Sequence, residues 1–132
     1  DGIIFIDDDA KLNIMEDKLL NENLFRNKVV KELSRLSSSN ISETVRKIMQ
    51  KLFSDEMLSG YSYIGFKGKK LFSTLQSCAI IFESIRTMKN FKDSLDVEIE
   101  RPIKNWMGQA TPRLKKIAQK NAAIADNMST SG

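Results

Sequence analysis

Few residues of this chain are of the types that catalyse reactions or bind metals. Its 132 residues include no histidine and a single cysteine, Cys78. Histidine is the commonest general base and the commonest metal ligand, so both kinds of site lack their usual residue. Cys78 stands among apolar residues with no histidine to activate it, which favours a structural thiol in the core over a nucleophile. One cysteine also excludes disulfide frameworks and zinc fingers and is consistent with a reducing compartment.

Two short motifs invite comparison with ligand sites. Gly60, Gly65 and Gly68 lie close together, but their spacing fits neither the P-loop nor the dinucleotide-binding fingerprint. Three consecutive acids at residues 7–9 lack the spaced ligands with which an EF-hand surrounds a cation. Because no set of residues makes a credible active site, we expect a protein that is not an enzyme and that uses no metal and no cofactor.

Positive charge is concentrated in the second part of the chain. The whole chain has 21 Lys+Arg against 17 Asp+Glu, a formal net charge of +4. Residues 1–56 hold eleven acids and nine bases, whereas residues 57–132 hold six acids and twelve bases. Such an excess attracts polyanions and makes nucleic-acid binding depend on salt. Charge alone, however, favours a solvated lysine-rich surface.

Apolar residues recur at helical spacing along most of the chain. These segments lie at about residues 15–36, 41–52, 73–88, 94–107 and 112–126. Glycine (6) and proline (2) are too scarce for a chain of many short strands, and no apolar run approaches the ~18 residues of a membrane span. We predict an all-α fold, a compact bundle of five or six helices with an N-terminal extended arm.

Single residues predict where these helices begin and end. Asn40 and Ser54 are expected N-caps, and Ser73 and Ser94 should cap the two long helices that follow. Pro102 should kink its helix or split it in two. The predicted boundaries are an extended arm at 1–14, an amphipathic helix at 15–38, a helical domain at 39–127 and a frayed tail at 128–132.

The amphipathic helix at 15–38 is a candidate oligomerisation element. It has more apolar residues than a thin helix leaning on a small domain requires, so it could pair with a copy of itself. No clean heptad persists in it, and a long coiled coil is therefore not expected. The residues proposed for this contact are Leu20, Leu24, Val29, Leu33 and Leu36.

The glycine-lysine turn, residues 60–72, is the clearest non-helical connector. Its glycines let the backbone approach a surface closely, and its lysines supply charge for phosphates. The opposing interpretation is an exposed turn whose lysines keep the connector soluble. A second basic group follows near Trp106. The candidate DNA contacts are Lys67, Lys69 and Lys70 in the turn and Arg101, Lys104, Arg113, Lys115 and Lys116 beyond it.

The N-terminal arm resembles a SUMO-interacting motif. Such a peptide adds a strand to the edge of the modifier's sheet, with apolar side chains in a groove and acids facing lysines. The alternative is an arm that docks on this protein's own core or on a second subunit. The residues proposed for partner binding are Ile3, Ile4, Phe5, Ile6, Asp7, Asp8 and Asp9.

Several landmarks occur in the order found in BEN domains. Residues 52–58 read Leu-Phe-Ser-Asp-Glu-Met-Leu, and residues 61–70 bring a glycine followed by basic residues. The chain resembles even more a related domain of unknown function in invertebrate nuclear proteins, over about residues 40–117. That domain has Phe-x-x-Leu after the turn and a Trp-x-x-x-Ala-x-x-Arg ending. The matching residues here are Phe72, Leu75, Trp106, Ala110 and Arg113.

The resemblance implies a helical module that acts on chromatin through DNA contacts, protein contacts or self-association. BEN modules that read bases usually show Leu-Asp after the turn, where this chain has Leu71-Phe72-Ser73, which leaves phosphate contact or partner binding open. We predict a non-enzymatic module in the nucleus that contacts DNA, supports transcriptional regulation and has no membrane association. The alternative is a protein–protein interaction or homodimerisation module in a nuclear complex, with the arm docking a partner such as SUMO.

Overall fold

A computed structural model of the chain describes residues 3–130, which form a helical bundle with one short irregular connector. Six helices have twelve residues or more and one has a single turn, which confirms the predicted all-α bundle. The helices are α1 (Asp9–Asn21), α2 (Asn23–Ser34), α3 (Ile41–Leu52), α4 (Asp55–Leu58), α5 (Gln76–Thr87), α6 (Asp96–Gly108) and α7 (Ala110–Thr130). Between α4 and α5 the two-residue strands β1 (Tyr61–Ser62) and β2 (Lys70–Leu71) pair in parallel.

Helix α5 is the centre of the bundle. It contacts α1, α2 and α3, while α6 packs on α3, and α7 packs on α4 and α6. Ile80, Ile81 and Ile85 of α5 are fully buried, since apolar residues cover more than half of its circumference. None of the helices in the described part of the chain is long and apolar enough to cross a membrane.

The segment predicted as one helix at 15–38 is two helices, and the extended arm is shorter than predicted. Helix α1 already begins at Asp9, because the Asp8 side chain accepts a hydrogen bond from the Lys11 backbone N–H at 2.8 Å and caps it. The chain then breaks at Glu22, whose backbone is extended (φ −122°, ψ 93°), and α2 folds back on α1. The Arg26 guanidinium donates to the Leu19 carbonyl at 3.3 Å and holds this corner.

Two of the four predicted caps are confirmed. The Asn40 side chain accepts from the Glu43 N–H at 2.8 Å, and the Ser54 hydroxyl accepts from the Met57 N–H at 3.1 Å. Ser73 and Ser94 are not caps, since the N-cap residues of α5 and α6 are Leu75 and Leu95.

Acidic side chains take the place of the missing caps. For α5 the acceptor is Glu16 of α1. Its Oε1 accepts from the Gln76 N–H, and its Oε2 accepts from the N–H and the hydroxyl of Ser77, each at 2.7 Å. At α6, the Glu98 carboxylate accepts from the Leu95 N–H at 2.8 Å.

The last two helices differ from their predicted ends. Helix α6 is continuous through Pro102, so proline does not split it, and the break before α7 falls at Gln109. Helix α7 extends to Thr130, three residues into the predicted frayed tail. Residues 131 and 132 of that tail lie outside the described residues.

Candidate functional site

The glycine-lysine turn has an unusual backbone. Gly65 and Gly68 have φ of 73°, and Lys67 between them has φ of 56°. Lys67 is the only non-glycine residue with positive φ in the part of the chain that the structure describes, and this conformation costs a non-glycine residue about 1 kcal/mol. Two apolar side chains of this turn lie in solvent: Ile64 and Phe66 are 67% and 62% exposed.

The turn and helix α6 share one surface, the lysine-tyrosine groove. This groove of about 250 Å³ is lined by Tyr61, Ser62, Tyr63, Ile64, Lys69, Lys104, Met107 and Gly108. The Lys104 ammonium lies 5.3 Å from the centre of the Tyr63 ring and 3.3 Å from the Glu100 carboxylate. Lys67 does not line the groove; it is exposed two residues before Lys69 on the same turn, its ammonium 5.6 Å from the Phe66 ring centre. Two predicted DNA contacts, Lys69 and Lys104, thus line one groove, and a third, Lys67, is on the turn that forms it.

Lys70 is separated from this set by an internal ion pair. Its ammonium lies 2.5 Å from the Asp9 carboxylate and 5.7 Å from the Tyr61 ring centre. The hydrogen bond with Lys70 lowers the pKa of Asp9, and the same bond raises the pKa of Lys70. Lys70 also lines a separate groove with Asp7, Asp8, Asp9 and Glu56. Because these carboxylates repel phosphates, Lys70 is a poorer candidate for a phosphate contact than Lys69 or Lys104.

Arg113 is also engaged inside the molecule. Its Nε and Nη2 donate to the Asp55 carboxylate at 2.7–3.0 Å, and its guanidinium stacks 3.5 Å from the Trp106 ring centre. This bidentate pair fastens α7 to the start of α4 and gives Arg113 a structural role. Its predicted DNA contact stays a prediction, and it would require the guanidinium to leave Asp55.

The remaining predicted bases are dispersed. Arg101 lies one turn before Lys104 but lines a different groove with Pro102 and Asn105. Lys115 and Lys116 are exposed on α7, past the point where this helix leaves the body. The predicted second basic patch near Trp106 is therefore not a single surface.

The arm docks on the protein's own core, which was one of the two interpretations of its sequence. Ile6 is fully buried, its N–H donates to the Leu52 carbonyl at 2.7 Å, and its carbonyl accepts from the Ser54 N–H at 3.1 Å. Ile3 packs partly buried against the core, Ile4 is half-buried, and Phe5 is 47% exposed.

The acids of the arm have partners within the chain. Asp7 pairs with Lys11 at 2.7 Å, Asp8 caps α1, and Asp9 pairs with Lys70 and accepts from the Tyr61 hydroxyl. SUMO binding by this arm stays a prediction, and it would require Ile6 to leave the core and these acids to leave their partners.

The five predicted oligomerisation residues divide into two groups. Val29 and Leu33 are 3% and 0% exposed, and Leu36 packs partly buried against the core. Leu20 and Leu24, at the corner between α1 and α2, are 64% and 86% exposed. Only this corner remains available for the predicted contact.

Cys78 occupies the predicted structural position. The residue is 1% exposed, and burial raises the pKa of its thiol to about 12. Burial also raises the pKa of Tyr63 above its usual value. A thiol that stays protonated at neutral pH is a weak nucleophile.

The chain also matches a known family model, described as "Domain of unknown function (DUF4806)", over residues 4–95. The chain belongs to this family. The DUF4806 match covers more than two thirds of the chain, including the arm, α1 to α5 and the glycine-lysine turn, and it ends before α6. Lys67 and Lys69 lie inside the matched region, whereas Lys104 and all of α7 lie outside it. The resemblance to BEN modules is not part of this match and stays a prediction.

No curated protein and no solved structure matches the chain.

Proposed function

We propose that this protein is a non-enzymatic nuclear module that contacts DNA phosphates with its lysine-tyrosine groove and supports transcriptional regulation. The observation that carries the proposal is the shared groove of Lys69 and Lys104, two lysines that come from different elements. Lys67, exposed at the tip of the turn, extends the same basic region.

The composition of the groove suits a phosphate backbone better than a base edge. Ammonium groups attract phosphates without selecting sequence, and the groove carries two of them, on Lys69 and Lys104. The planar side chains that read base edges, those of Arg, Asn and Gln, do not line the groove, and its two lysines suit phosphates as point charges. The expected binding is therefore modest, independent of sequence and strongly dependent on salt.

Titration of the full chain with a fluorescent duplex of about 20 base pairs, at roughly 50 and 150 mM salt, tests this function. The triple variant Lys67→Gln, Lys69→Gln, Lys104→Gln removes three charges from the groove region. If each lysine contacts one phosphate, the slope of log K against log salt decreases in magnitude by about 2.7. Affinity at low salt should fall by more than tenfold.

The matched control is Lys28→Gln, Lys31→Gln, Lys47→Gln. These three lysines are exposed on α2 and α3, outside the groove, and the net charge changes by the same amount. The control should keep most of the affinity and the salt slope. Equal losses in both variants would mean that only net charge matters, and unchanged binding in both would remove DNA from the proposal.

A second candidate function is docking of a protein partner or a second copy at the α1–α2 corner. It is favoured by Leu20 and Leu24, two large apolar side chains that are mostly exposed on adjacent turns of the chain. Sedimentation of the wild type and of the Leu20→Ser, Leu24→Ser variant tests self-association at this corner. A mass that depends on concentration in the wild type, and is lost in the variant, would support it.

A further inference from the structure

Most of α7 after its first turn is exposed to solvent. Ala110 is buried and Arg113 and Leu114 are half-buried where the helix packs on α4, but every residue from 115 to 128 is exposed. At 1.5 Å per residue these fourteen residues extend about 21 Å. An unsupported helix of this length is marginal in water, so a contact along it would stabilise it.

One face of this projecting helix carries a heptad pattern, which we call the α7 seam: Ile117, Asn121 and Ile124. The residues are separated by four and three positions, and Leu114 and Met128 continue the same alternation in the sequence. In heptad notation the isoleucines occupy d, and Leu114, Asn121 and Met128 occupy a. The seam isoleucines are 54% and 48% exposed.

The residues around the seam suit close approach of a second helix. Ala118 and Ala125 occupy the adjoining e positions, where their small side chains leave room for a neighbouring backbone. Lys115, Lys116 and Gln119 fall at b, c and f on the opposite face. The exposed part of this helix is therefore amphipathic, with a narrow apolar stripe and a solvated basic side.

We propose that the α7 seam pairs with the seam of a second copy of this chain as a short, parallel, in-register coiled coil. This inference goes beyond the proposed function and does not depend on it. It also uses a different surface from the α1–α2 corner.

Asn121 identifies the occupant. Against an apolar side chain of an unrelated helix, its amide would be buried without a partner, at a cost of about 1–3 kcal/mol. In a parallel, in-register pair, an a residue faces the a residue of the other copy, so the two Asn121 amides can hydrogen-bond to each other. An antiparallel or shifted pairing places an isoleucine or another apolar residue opposite Asn121 instead. A second copy in register meets this requirement by symmetry, whereas an unrelated helix would need its own polar residue at the level of Asn121.

The residues of the seam make the number of strands a sharp test. Asparagine at an a position favours a two-stranded coiled coil, whereas leucine at a combined with isoleucine at d favours three or four strands. We expect the asparagine to prevail, giving a dimer. Together with Leu114 and Met128, the seam spans only about two heptads. The association should therefore be weak and should appear only at high protein concentration.

Cross-linking of the full chain detects a weak pairing and its register. Ile124→Cys keeps Asn121 and places a thiol at d, which faces d of the other copy only in the parallel, in-register arrangement. Treatment with oxidised glutathione should give a covalent dimer. Cys78 is buried and does not compete. Ala123→Cys, one residue away on the outer face, is the control and should remain mostly monomeric.

Sedimentation provides the second measurement. The wild-type mass should rise with concentration toward that of a dimer, and Ile117→Glu, Ile124→Glu should remain monomeric. Gln119→Glu, Ala123→Glu adds the same charge on the outer face and should behave as the wild type. Equal cross-linking at positions 123 and 124, a wild type that stays monomeric at millimolar concentration, or assembly into trimers or tetramers would overturn the proposal.

Discussion

At the scale of single residues, Glu16 shows how one side chain can cap a helix that lies far away in the sequence. Helix α5 starts after Leu75, a residue that has no side-chain acceptor for the first free N–H groups. Glu16 supplies two carboxylate oxygens from α1, sixty residues earlier in the chain. It thereby takes the role that serine or asparagine has at most helix starts, and it also ties α1 to α5.

We expect Glu16→Ala to lower the free energy of unfolding by about 2 kcal/mol, because three charge-assisted hydrogen bonds are lost and two N–H groups remain partly buried. Glu16→Gln, which keeps one acceptor oxygen, should lose less. Urea denaturation measures both. Glu22→Ala is the control, since Glu22 is exposed and makes no side-chain cap bond. Equal losses at positions 16 and 22 would contradict the capping role.

Caps were predictable from the sequence only where the acceptor is local. Asn40 and Ser54 stand directly before their helices and bond to an N–H three residues on, so the local pattern was sufficient. Ser73 and Ser94 have the same residue type near a helix start, but the chain turns once more before the helix begins. Nothing in the residues near 76 indicates that an acid at position 16 will be close to them.

At the scale of elements, the docked arm is the feature with the largest expected effect. Ile6 inserts between the end of α3 and the start of α4, where its backbone joins Leu52 and Ser54 by hydrogen bonds. Its side chain has no exposed surface, whereas that of the preceding Phe5 is about half exposed. The arm is therefore part of the core and not a free peptide.

Ile6→Ala should destabilise the fold by about 2–4 kcal/mol, because a fully buried side chain is replaced by a cavity. Phe5→Ala should cost less than about 1 kcal/mol despite removing a larger side chain. Chemical denaturation of the two variants compares them directly. A larger loss for Phe5 than for Ile6 would show that the arm is not seated as described.

Tertiary partners explain why the elements and the site were only partly predicted. The apolar spacing of α1 continues into α2, since both helices bury one face, so periodicity could not show the break at Glu22. Lys70 and Arg113 looked like exposed bases in the sequence, yet their acids, Asp9 and Asp55, are 61 and 58 positions away. Conversely, Lys69 and Lys104 line the same groove only because the turn packs beside α6.

At the scale of the whole molecule, carboxylates with lowered pKa values link stability to pH. Asp9 is one of them, because its hydrogen bonds with Lys70 and Tyr61 favour the charged form. A carboxylate whose folded-state pKa is depressed stabilises the protein above its unfolded value of about 3.8. That contribution is lost as the pH falls through the lower folded-state value.

Asp9→Asn should therefore lower Tm slightly at pH 7, and the difference from the wild type should shrink as the pH falls below about 3.8. The effect is small because the pair is exposed to solvent. Thermal unfolding followed by circular dichroism between pH 7 and pH 2 measures it. Asp93→Asn serves as the control, since Asp93 is exposed and forms no ion pair with the described residues. A difference that grows toward low pH would contradict the ion-pair account.

Composition and periodicity were sufficient for the fold class of the whole molecule. Scarce glycine and proline and long apolar repeats allow little besides a helical bundle, and Cys78 was correctly placed in its core. The exposure of α7 after Leu114 was not foreseen. Its apolar residues fit a helix packed on the body equally well, and only the structure shows that the body ends near Leu114.

The bond between Glu16 and the start of α5 also orders events on the ribosome. Glu16 is made sixty residues before Gln76, which at bacterial or eukaryotic elongation speeds is an interval of roughly 3–12 s. During that interval, α5 has not yet been synthesised, so the face of α1 that packs against it in the folded protein is without this helix. When α5 emerges, the carboxylate that caps its first turn has already been synthesised. Capping of the N-terminus of α5 therefore does not depend on any residue made later.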